Sequence, residues 1–473
     1  MSESAPRHAA PDAATGDDGV THQGGAVRPG LANPTATRTV RFWTLPIVVS
    51  LALMAALAAF YLGGILNPMA NLRHFPIAVV NEDAGPTGAE VVKSMQSTFE
   101  KDDAYDVRVL GHDDAKHQLD TAQIYGVAVI PPNFSSRLKE YAKSAVDPGR
   151  VERAVIIVST NPRAGTLGAG IAGQTLSRAV ELVDRLVGQR LSQDVAQHMG
   201  NKPLPAAVML MLGNPIEVET TVHDALPDGT GNGLSAFYYA LLLLLAGFTG
   251  SIVVSMLVDS MLGFAPAEFG PVYRFAEQAK ISRFRTLLIK WALIVVLALL
   301  TSGAYILIAA KLGMPVQHSL PLWLYGVFAI AAVGITSTSL IAVLGGLGLL
   351  VSLFVFVILG LPSAGATVPL EAAPRFFGWL AKFEPMHQVF LGARSLLYLD
   401  GLADAGLSQA LTMTAIGLVI GLLLGGVVTY IYDLRGYHRI PSGPEATATT
   451  AAKTLPESAL TAEVTATSTD AGT

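Results

Sequence analysis

The sequence predicts an α-helical membrane protein with six transmembrane helices and a large extracytoplasmic α/β domain inserted between helices 1 and 2. The first reason is composition, since 51% of the 473 residues are hydrophobic and only 14% are charged, whereas soluble domains carry about a quarter charged residues. The second is one long apolar run, Phe42–Leu66, which a polar stretch, Asn67–Gly233, separates from a series of further apolar runs. The third is the alternation of strand-like and helix-like segments within that polar stretch, a pattern typical of α/β layers.

Residues 1–41 are rich in Ala, Gly, Pro, Thr and Asp without apolar periodicity, and we predict a disordered cytoplasmic tail. The apolar run 42–66 is longer than the roughly 7–15 residues of a signal-peptide core. About 20 apolar residues suffice to cross a bilayer. This run is therefore predicted to be transmembrane helix 1, which stays attached to the mature chain.

The stretch 67–233 is predicted to fold as the extracytoplasmic α/β domain. Short β-branched runs bounded by turn residues indicate strands, at Phe75–Val80, Tyr105–Leu110, Tyr125–Ile130 and Ala154–Ser159. Apolar residues at helical spacing indicate helices, at Pro86–Glu100, Asp113–Thr121, Asn133–Ala145 and Leu167–Met199. The segment Pro203–Leu226 is predicted to lead back to the bilayer, with its apolar patch Val208–Leu212 near the membrane surface.

Residues 234–433 are predicted to form a domain of five transmembrane helices, followed by a second disordered cytoplasmic tail over 434–473. The predicted spans are Leu234–Val258, Thr286–Ala310, Leu322–Leu344, Gly346–Leu361 and Leu407–Tyr432. The third and fourth of these form one apolar stretch of twice the length of a crossing, with Gly345 and Gly346 in its middle. We predict a tight helical hairpin there.

The basic residues of the short loops predict the orientation. With six spans, the basic positions fall on one side of the membrane: Arg38, Arg41, Arg274, Lys280, Arg283, Arg285, Arg435 and Arg439. The positive-inside rule makes that side cytoplasmic. The protein is thus expected in the plasma membrane as a multi-pass protein with both termini in the cytoplasm.

Several kinds of chemistry find no support in the sequence. There is no cysteine and no Gly-Lys dipeptide, so thiolate sites and a Walker A phosphate loop are excluded. No hydrolase or paired metal-ligand motif is present, and we expect no enzyme activity, no cofactor, no catalytic residue and no metal site. A net charge of -5 gives no reason to expect a nucleic-acid partner. Lys290, near the end of a span, is expected to snorkel.

Two groups of residues are candidates on the outer side. Asn81, Glu82 and Asp83 either bind a cation or a partner, or form a strand-ending turn that caps the next helix, the interpretation we favour. Pro362, Ser363 and Gly365 interrupt an apolar run and mark either an unwound segment lining a cavity or simply the end of a span. Arg394 is expected to anchor at the lipid headgroups or to pair with a carboxylate such as Glu384, and anchoring is favoured.

The loop Phe264–Arg285 mixes aromatic and basic residues on the predicted cytoplasmic side. Its candidate functional residues are Tyr273, Arg274, Lys280, Arg283 and Arg285. The loop is either a coupling helix that docks an ATPase or an interfacial helix held by anionic lipid. The small residues from Thr336 to Ser339 and the pair Gly421 and Gly425 are expected to serve close helix packing.

Three motifs carry a resemblance to a known family. The segment Pro76–Gly85 resembles the start of the outer domain of the YhgE/Pip (phage infection protein) family, and Tyr125–Ser135 resembles its second signature. Leu361–Gly365, followed by Pro374, Pro385 and Arg394, is similar to its C-terminal outer segment. The arrangement is also similar to the DUF3533 group, which includes a nitrosoguanidine-resistance protein, and to the type 2 ABC-transporter membrane-domain superfamily.

The resemblance implies a six-span, permease-like fold and no catalytic residues. It favours an exporter subunit for drugs, lipids or other amphipathic compounds, embedded in the lipid bilayer, acting as a homodimer or with a separate ABC-type ATPase. The alternative is a non-transporting envelope protein whose outer domain binds phage, cell-wall or secretion-system partners.

Overall fold

The computed structural model describes residues 39–99, 103–145, 152–199, 204–274 and 276–437. The predicted disordered tails, 1–41 and 434–473, lie almost wholly outside this part of the chain. The chain divides into two compact units, residues 1–55 and 56–473. In the first unit the described residues form the first half of helix α1 (Val40–Ile65), where the rings of Phe42 and Trp43 meet edge to face. All other elements belong to the second unit.

The residues between α1 and the next long apolar helix build a five-stranded mixed sheet flanked by helices. The strands are β1 (Phe75–Asn81), β2 (Tyr105–Leu110), β3 (Gly126–Ile130), β4 (Ala154–Thr160) and β5 (Ile216–Val222). The helices are α2 (Pro86–Phe99), α3 (His112–Asp120), α4 (Phe134–Ser144), α5 (Thr166–His198) and α6 (Ala206–Leu212).

The strand order is β2-β1-β3-β4-β5. Strand β1 pairs in parallel with β2 and β3, β4 is antiparallel to β3, and β5 is parallel to β4. Strand β1 is buried along all of its residues except the last, because helices cover both faces and the strand is an unbroken apolar run. Its side chains alternate between two cores, one around Phe75 and Ile77 and the other around Ala78 and Val80.

Strand β5 is not predicted by the sequence analysis, which assigns its residues to a return segment. It lies at the sheet edge and alternates between buried Ile216 and exposed glutamates, so it lacks a continuous apolar run. Pairing with β4 along its whole length supplies the missing stabilisation. The apolar patch before it forms α6, where Leu212 is buried against Tyr141 and Val195, while Leu210 is 78% exposed.

Within the described residues, six helical segments are long and apolar enough to cross a membrane, which indicates a multi-pass membrane protein. Besides α1 they are α7 (Leu234–Met261), α8 (Arg283–Lys311), α9 (Ser319–Leu344), the segment Gly346–Ser363 and α14 (Leu407–Leu434). Between the last two spans lie α12 (Arg375–Leu380) and α13 (Pro385–Tyr398). The expected spans thus each correspond to a helix, with ends that differ by up to three residues.

Helix α9 lies at the centre of the bundle, between α7, α8 and α14. Small residues allow α9 and α14 to pack closely against each other. A Cβ on Gly421 or Gly425 of α14 would overlap the side chains of Thr336 and Ser339, so the predicted close packing of these residues is confirmed. The hydroxyl groups of Thr338 and Ser339 bond to carbonyls of their own helix, which satisfies them without a partner helix.

The segment Gly346–Ser363 consists of α10 (Gly346–Leu353), a π-helical turn (Phe354–Ile358) and α11 (Gly360–Ser363). It follows α9 through Gly345, whose positive φ of 62° reverses the chain. A Cβ on Gly348 would overlap the carbonyl of Leu340. The two helices therefore pack against each other as a hairpin, as the sequence predicts.

Lys290 differs from its expected role. Its side chain is 3% exposed, and Nζ lies 2.9 Å from Oδ1 of Asp259 at the end of α7. A buried lysine next to a carboxylate is stabilised by the ion pair and needs no contact with the headgroups. The predicted snorkelling is wrong, because the sequence does not show that α7 brings Asp259 beside this position of α8.

Candidate functional site

The turn Asn81-Glu82-Asp83 caps two helices. Asp83 Oδ1 accepts a hydrogen bond from the Ser135 amide at 3.1 Å, and Oδ2 accepts from the Ser135 hydroxyl at 2.5 Å and from the Gly88 amide at 3.2 Å. Gly88 and Ser135 lie in the first turns of α2 and α4, where free amides need acceptors. Asn81 Oδ1 in turn accepts from the Asp83 amide. Both carboxylate oxygens of Asp83 therefore accept hydrogen bonds from the starts of these two helices, which supports the capping interpretation.

The fifth span is irregular towards its C-terminal end. The π-helical turn leaves carbonyls without the usual helical donor, and the Tyr61 hydroxyl of α1 donates to the carbonyl of Val357 at 3.2 Å. Pro362 lies against Gly64, where a Cβ would approach it to 3.0 Å. The Ser363 hydroxyl donates to the carbonyl of Leu359 at 2.7 Å. The predicted interruption is therefore present, and the last residues of α1, Tyr61 and Gly64, pack against it.

Glu384 is buried directly beside this interruption. It precedes α13 and caps it, because Oε2 accepts from the His387 amide at 3.0 Å. The residue is 2% exposed, and Oε1 has no hydrogen-bond partner among the described residues. Burial raises the pKa of this carboxyl from 4.5 to about 7, against the opposing effect of the Met386 and His387 amides and the Ser363 hydroxyl. That hydroxyl donates to backbone carbonyls, so it does not satisfy Oε1.

His387 contributes a neutral imidazole on the next turn of α13. Its Nδ1 lies 2.9 Å from the carbonyl oxygen of Ala364, and since a carbonyl only accepts, Nδ1 carries the proton. Burial, with the nearby positive charge of Arg394, lowers the pKa of His387 to about 4 despite that hydrogen bond. A Cβ on Gly365, whose φ is 70°, would lie 3.5 Å from this Nδ1. The chain changes direction at Gly365, and the Ala364 carbonyl thereby lies beside the imidazole ring of His387.

Arg394 lies two turns further along α13 and contacts the five-stranded sheet with its flanking helices. We call this part, the described residues between 75 and 222, the sheet domain. Its Nη1 donates to the carbonyl of Ala164 at 3.0 Å, and its guanidinium carbon lies 5.5 Å from the centre of the Phe390 ring. Nε is buried and has no acceptor within the described part of the chain. No ion pair joins Arg394 to Glu384 in the described structure, and the carboxylate that acts on Arg394 is Glu371 instead. Sequence spacing does not indicate which part of another domain will reach a helix face.

A carboxylate, Glu371, supplies negative charge near Arg394 and is hydrogen-bonded to a tyrosine. The Tyr125 hydroxyl donates to Glu371 Oε2 at 3.2 Å. Burial and the neighbouring Glu371 raise the pKa of Tyr125 well above its usual value, and burial lowers the pKa of Arg394 while Tyr125 and Glu371 oppose that change. The sequence analysis misses Glu371 and His387, because neither forms a motif. The Glu384-Pro385 pair is a usable signal, as an acceptor followed by proline is typical of a helix start.

These residues form one polar cluster at the junction of the fifth span, α13 and the sheet domain. It holds a carboxylic acid with a pKa near neutrality, a neutral imidazole and a buried guanidinium. Such a set can exchange a proton, or bind an ammonium group or a hydrogen-bond donor through Glu384 Oε1. Of the sequence candidates, Ser363 lies beside Glu384 and Gly365 beside His387, with Pro362 adjacent. Arg394 lies two turns further along α13, where its charge acts on His387, whereas the turn at Asp83 contributes to the sheet domain alone.

A groove of about 450 Å³ lies between the end of α7 and the start of α8. Its walls include Phe264, Lys280, Ser282, Arg283 and Thr286. The preceding chain forms a hairpin of β6 (Ala267–Phe269) and β7 (Val272–Arg274) and continues without a helix up to Arg283 in the described residues. The predicted helix over this loop is wrong, because Gly270 and Pro271 form a turn there instead.

The start of α8 is held by the end of α14. The Asp433 carboxylate accepts from the Arg283 and Phe284 amides at 2.9 and 3.0 Å, and Arg283 Nε donates to the carbonyl of Tyr437. The Arg285 amide donates to Ser282 Oγ at 3.2 Å.

The remaining candidates of this loop are distributed differently. Arg274 and Lys280 are exposed, and the backbone of Tyr273 lies in β7. Of the candidates whose side chains the structure describes, Lys280 and Arg283 line the groove.

Comparison with known proteins identifies the family of this chain. No curated protein matches the sequence. A crystal structure of a domain from Thermotoga maritima MSB8, described as belonging to a candidate ABC type-2 transporter, matches with 19% identity over 34% of this chain and 98% of that domain. Its TM-score of 0.22 is too low to establish a shared fold. The family model described as protein of unknown function (DUF3533) matches residues 46–421. Since this match covers most of the chain, the protein belongs to the DUF3533 family.

Proposed function

We propose that the protein is a permease-like exporter subunit of the plasma membrane, which moves drugs, lipids or other amphipathic compounds and is energised by a partner ABC-type ATPase. In this proposal the sheet domain is extracytoplasmic and both termini are cytoplasmic. The orientation rests on the loop charges of the sequence, and the permease role on the resemblance stated above. The observation that carries the proposal is the buried, half-satisfied carboxyl of Glu384 beside the broken fifth span.

A protein that serves only as a membrane anchor does not require a buried carboxyl beside an interrupted span. Burying a polar atom without a partner costs about 1–3 kcal/mol, and irregular helices at membrane depth are tolerated where they line a cavity or path. Ionisable groups near the bundle interior are by default functional. Glu384 Oε1 is therefore the atom that we assign to the substrate, as the acceptor for a cationic or hydrogen-bonding head group.

The groove between α7 and α8 is the proposed contact for the ATPase. It lies where α7 ends and α8 begins, at the opposite end of these helices from the polar cluster. Exposed Arg274 and Lys280 provide positive charge at its edge, and the bonds to Asp433 fix the start of α8. A groove held by a transmembrane helix can pass a movement of the ATPase to that helix, and α8 packs directly against α9.

The test is a transport assay with the whole protein in its own membranes. ATP is added outside everted vesicles, whose cytoplasmic face is exposed to the medium. Uptake of a cationic amphipathic dye is then measured for the wild type, Glu384→Ala, Glu384→Gln and Glu217→Gln. We expect uptake to fall at least tenfold in Glu384→Ala and to persist in the exposed control Glu217→Gln. Glu384→Gln keeps an acceptor but loses the charge, so it separates hydrogen bonding from charge recognition.

Partner capture tests the second half of the proposal. Native complexes are purified from membranes through a tag on the protein, and an ATPase subunit is expected to copurify. The charge reversal Lys280→Glu is expected to release it, whereas Lys311→Glu, at the other end of α8, is not. Absence of any ATPase together with unchanged dye uptake in a deletion strain would refute the exporter role.

One observation favours the alternative role of an envelope protein. Strand β2 forms an edge of the sheet in the described structure, and Val109 on it is 47% exposed. An exposed edge strand can accept a strand from a partner. If a Val109→Lys variant loses binding of cell-wall or secretion partners while dye uptake is absent in the wild type, the envelope role replaces the exporter role.

A further inference from the structure

A second polar site lies away from the Glu384 cluster, at one edge of the sheet. A cleft of about 310 Å³ opens between the sheet domain and the turn that follows α13. The side chains that matter here are those of Asp120, Asn161, Arg163, His223 and Asp224. They are separated by up to about a hundred residues in the sequence, which is why no ligand spacing is visible there.

The strand directions bring these residues together. Asp120 ends α3, just before β3. Because β4 is antiparallel to β3, its last residue, Thr160, pairs with Gly126 at the start of β3. Strand β5 runs parallel to β4 and ends beside it. The residues that follow both strands therefore lie next to the end of α3, and the His223 amide donates to the carbonyl of Thr160 at 2.8 Å.

Three ligand atoms converge at this edge. His223 Nε2 lies 2.7 Å from Asp120 Oδ1 and 3.9 Å from Asp224 Oδ2, and all three atoms lie within 4.8 Å of one another. Ligands bound to Zn²⁺ at roughly 2.0–2.2 Å in a tetrahedral shell are about 3.4 Å apart. The observed distances lie on both sides of that value, so shifts of less than an ångström would place all three atoms around one ion.

Asn161 provides an independent sign of a missing ligand. It is 1% exposed and lines the same cleft. Its Nδ2 donates to the carbonyl of Leu119 at 2.7 Å and contacts that of Ile124 at 3.5 Å, which fixes the orientation of the amide. Oδ1 is then left buried without a donor among the described residues. An unsatisfied buried acceptor costs free energy unless a water or an ion meets it.

The donor set indicates the class of ion. An imidazole nitrogen favours borderline cations such as Zn²⁺ over Mg²⁺ and Ca²⁺, and two carboxylates supply the negative charge. Arg163 approaches Asp224 Oδ2 at 4.0 Å and donates to backbone carbonyls of Asp224 and Tyr398. It therefore positions the loop after β5 and neutralises part of the charge of Asp224.

We propose that Asp120, His223 and Asp224 bind one divalent cation of the Zn²⁺ class, with Asn161 Oδ1 as a further oxygen for the ion or its bound water. The ion joins the end of α3 to the ends of β4 and β5 beside the turn after α13. This inference is independent of the proposed transport role, because it concerns a site in the sheet domain and its test measures metal binding alone.

The experiment uses the full chain, purified in detergent without a polyhistidine tag, stripped with a chelator and desalted. Zn²⁺ is added, excess is removed, and bound metal is measured by mass spectrometry, with thermal unfolding recorded in parallel. We expect one Zn²⁺ per chain, a rise in Tm on addition of Zn²⁺ and no comparable rise with Mg²⁺. Asp120→Asn and His223→Gln are expected to weaken binding at least tenfold.

A matched control comes from the pair of His112 and Glu82, whose Nδ1 and Oε1 atoms are 2.6 Å apart. It resembles the His223–Asp120 pair but has no third ligand grouped with it among the residues that the structure describes, so His112→Gln is expected to leave Zn²⁺ binding unchanged. Asp224 has a side chain that is 58% exposed, and Asp224→Asn tests the site if the other variants do not fold.

The outcomes separate clearly. Loss of Zn²⁺ in Asp224→Asn with retention in His112→Gln supports the site. Wild-type protein that retains no Zn²⁺ shows an ion pair of His223 and Asp120 only, and overturns the proposal. Equal retention in the wild type and all three ligand variants, or equal loss in His112→Gln, places the metal elsewhere and overturns it as well.

Discussion

Substitution of Glu384 by Gln tests whether the buried carboxyl at the broken span carries the free-energy cost that its surroundings imply. Its pKa is raised from 4.5 to about 7, with burial as the main cause. Each tenfold change in proton affinity corresponds to about 1.4 kcal/mol, so ionising this group in the folded protein costs roughly 3 kcal/mol more than in the unfolded chain. Gln keeps the shape and the acceptor that caps α13, and it carries no charge.

The sign of the effect follows from proton linkage. Below pH 4.5 the carboxyl is protonated in both states and contributes no difference. Between pH 4.5 and about 7 the unfolded chain loses this proton while the folded protein keeps it, so stability falls as the pH rises. His387 opposes this, since its pKa is lowered from 6.5 to about 4 and its contribution to stability rises through that range. In the wild type the two effects partly cancel, so the stability changes less with pH than either group alone would cause. The difference between the wild type and Glu384→Gln gives the contribution of the Glu384 carboxyl.

The measurement is unfolding in detergent micelles from pH 4.5 to pH 8, for the wild type, Glu384→Gln and the control Glu217→Gln. Glu217 has a side chain that is 53% exposed, where water solvates either form. We expect Glu384→Gln to match the wild type at pH 4.5 and to exceed its stability by about 3 kcal/mol at pH 8. A difference that is constant with pH, or equally large for Glu217→Gln, would refute the reasoning.

Three further substitutions test the packing and the caps by the same unfolding measurement. Lys290→Met removes the cation beside Asp259, whose side chain is 20% exposed, and is expected to cost about 1–3 kcal/mol. Adding Asp259→Leu is expected to recover part of the loss, and a double variant as unstable as the single one would contradict the pairing. Gly421→Ala is expected to destabilise the bundle by about 1–3 kcal/mol, because the added Cβ would overlap Thr336 of α9. The control Gly417→Ala has open space around it and is expected to be neutral. Equal effects of the two substitutions would argue against the contact. Asp83→Ala removes the acceptor of three hydrogen bonds and is expected to cost about 3 kcal/mol, with a loss below about 0.5 kcal/mol as the contrary result.

Much of the secondary structure follows from the sequence, and the misses have identifiable causes. Strands β1, β3 and β4 are apolar runs, β2 alternates between apolar and charged residues, and the positions of all four are predicted to within one residue. Strand β5 is missed because its glutamates face water and its stability comes from pairing with β4. The helix expected between Phe264 and Arg285 is wrong, because aromatic and basic composition fits a hairpin as well as a helix.

The candidate sites are predicted unevenly for a related reason. Pro362, Ser363 and Gly365 are found because Pro and Gly interrupt an apolar run, a signal that is local in the chain. His387 and Glu371 are missed because their roles depend on the carbonyl of Ala364 and the hydroxyl of Tyr125, which are distant in sequence. Arg394 is found but assigned to the headgroups, because the sequence does not reveal that the loop at Ala164 covers its helix.

The sequence by itself determined the membrane class, the number of apolar spans, the strand-and-helix alternation of the polar stretch and the places where glycine breaks a helix. These properties depend on hydrophobicity and backbone preference, which act over a few neighbouring residues. Only the tertiary structure decided that Glu384 is left with an unsatisfied oxygen, that Lys290 pairs with Asp259, and that Asp120, His223 and Asp224 meet at one sheet edge. Burial and charge pairing depend on which distant segments come into contact, and that is set by how the strands and helices pack.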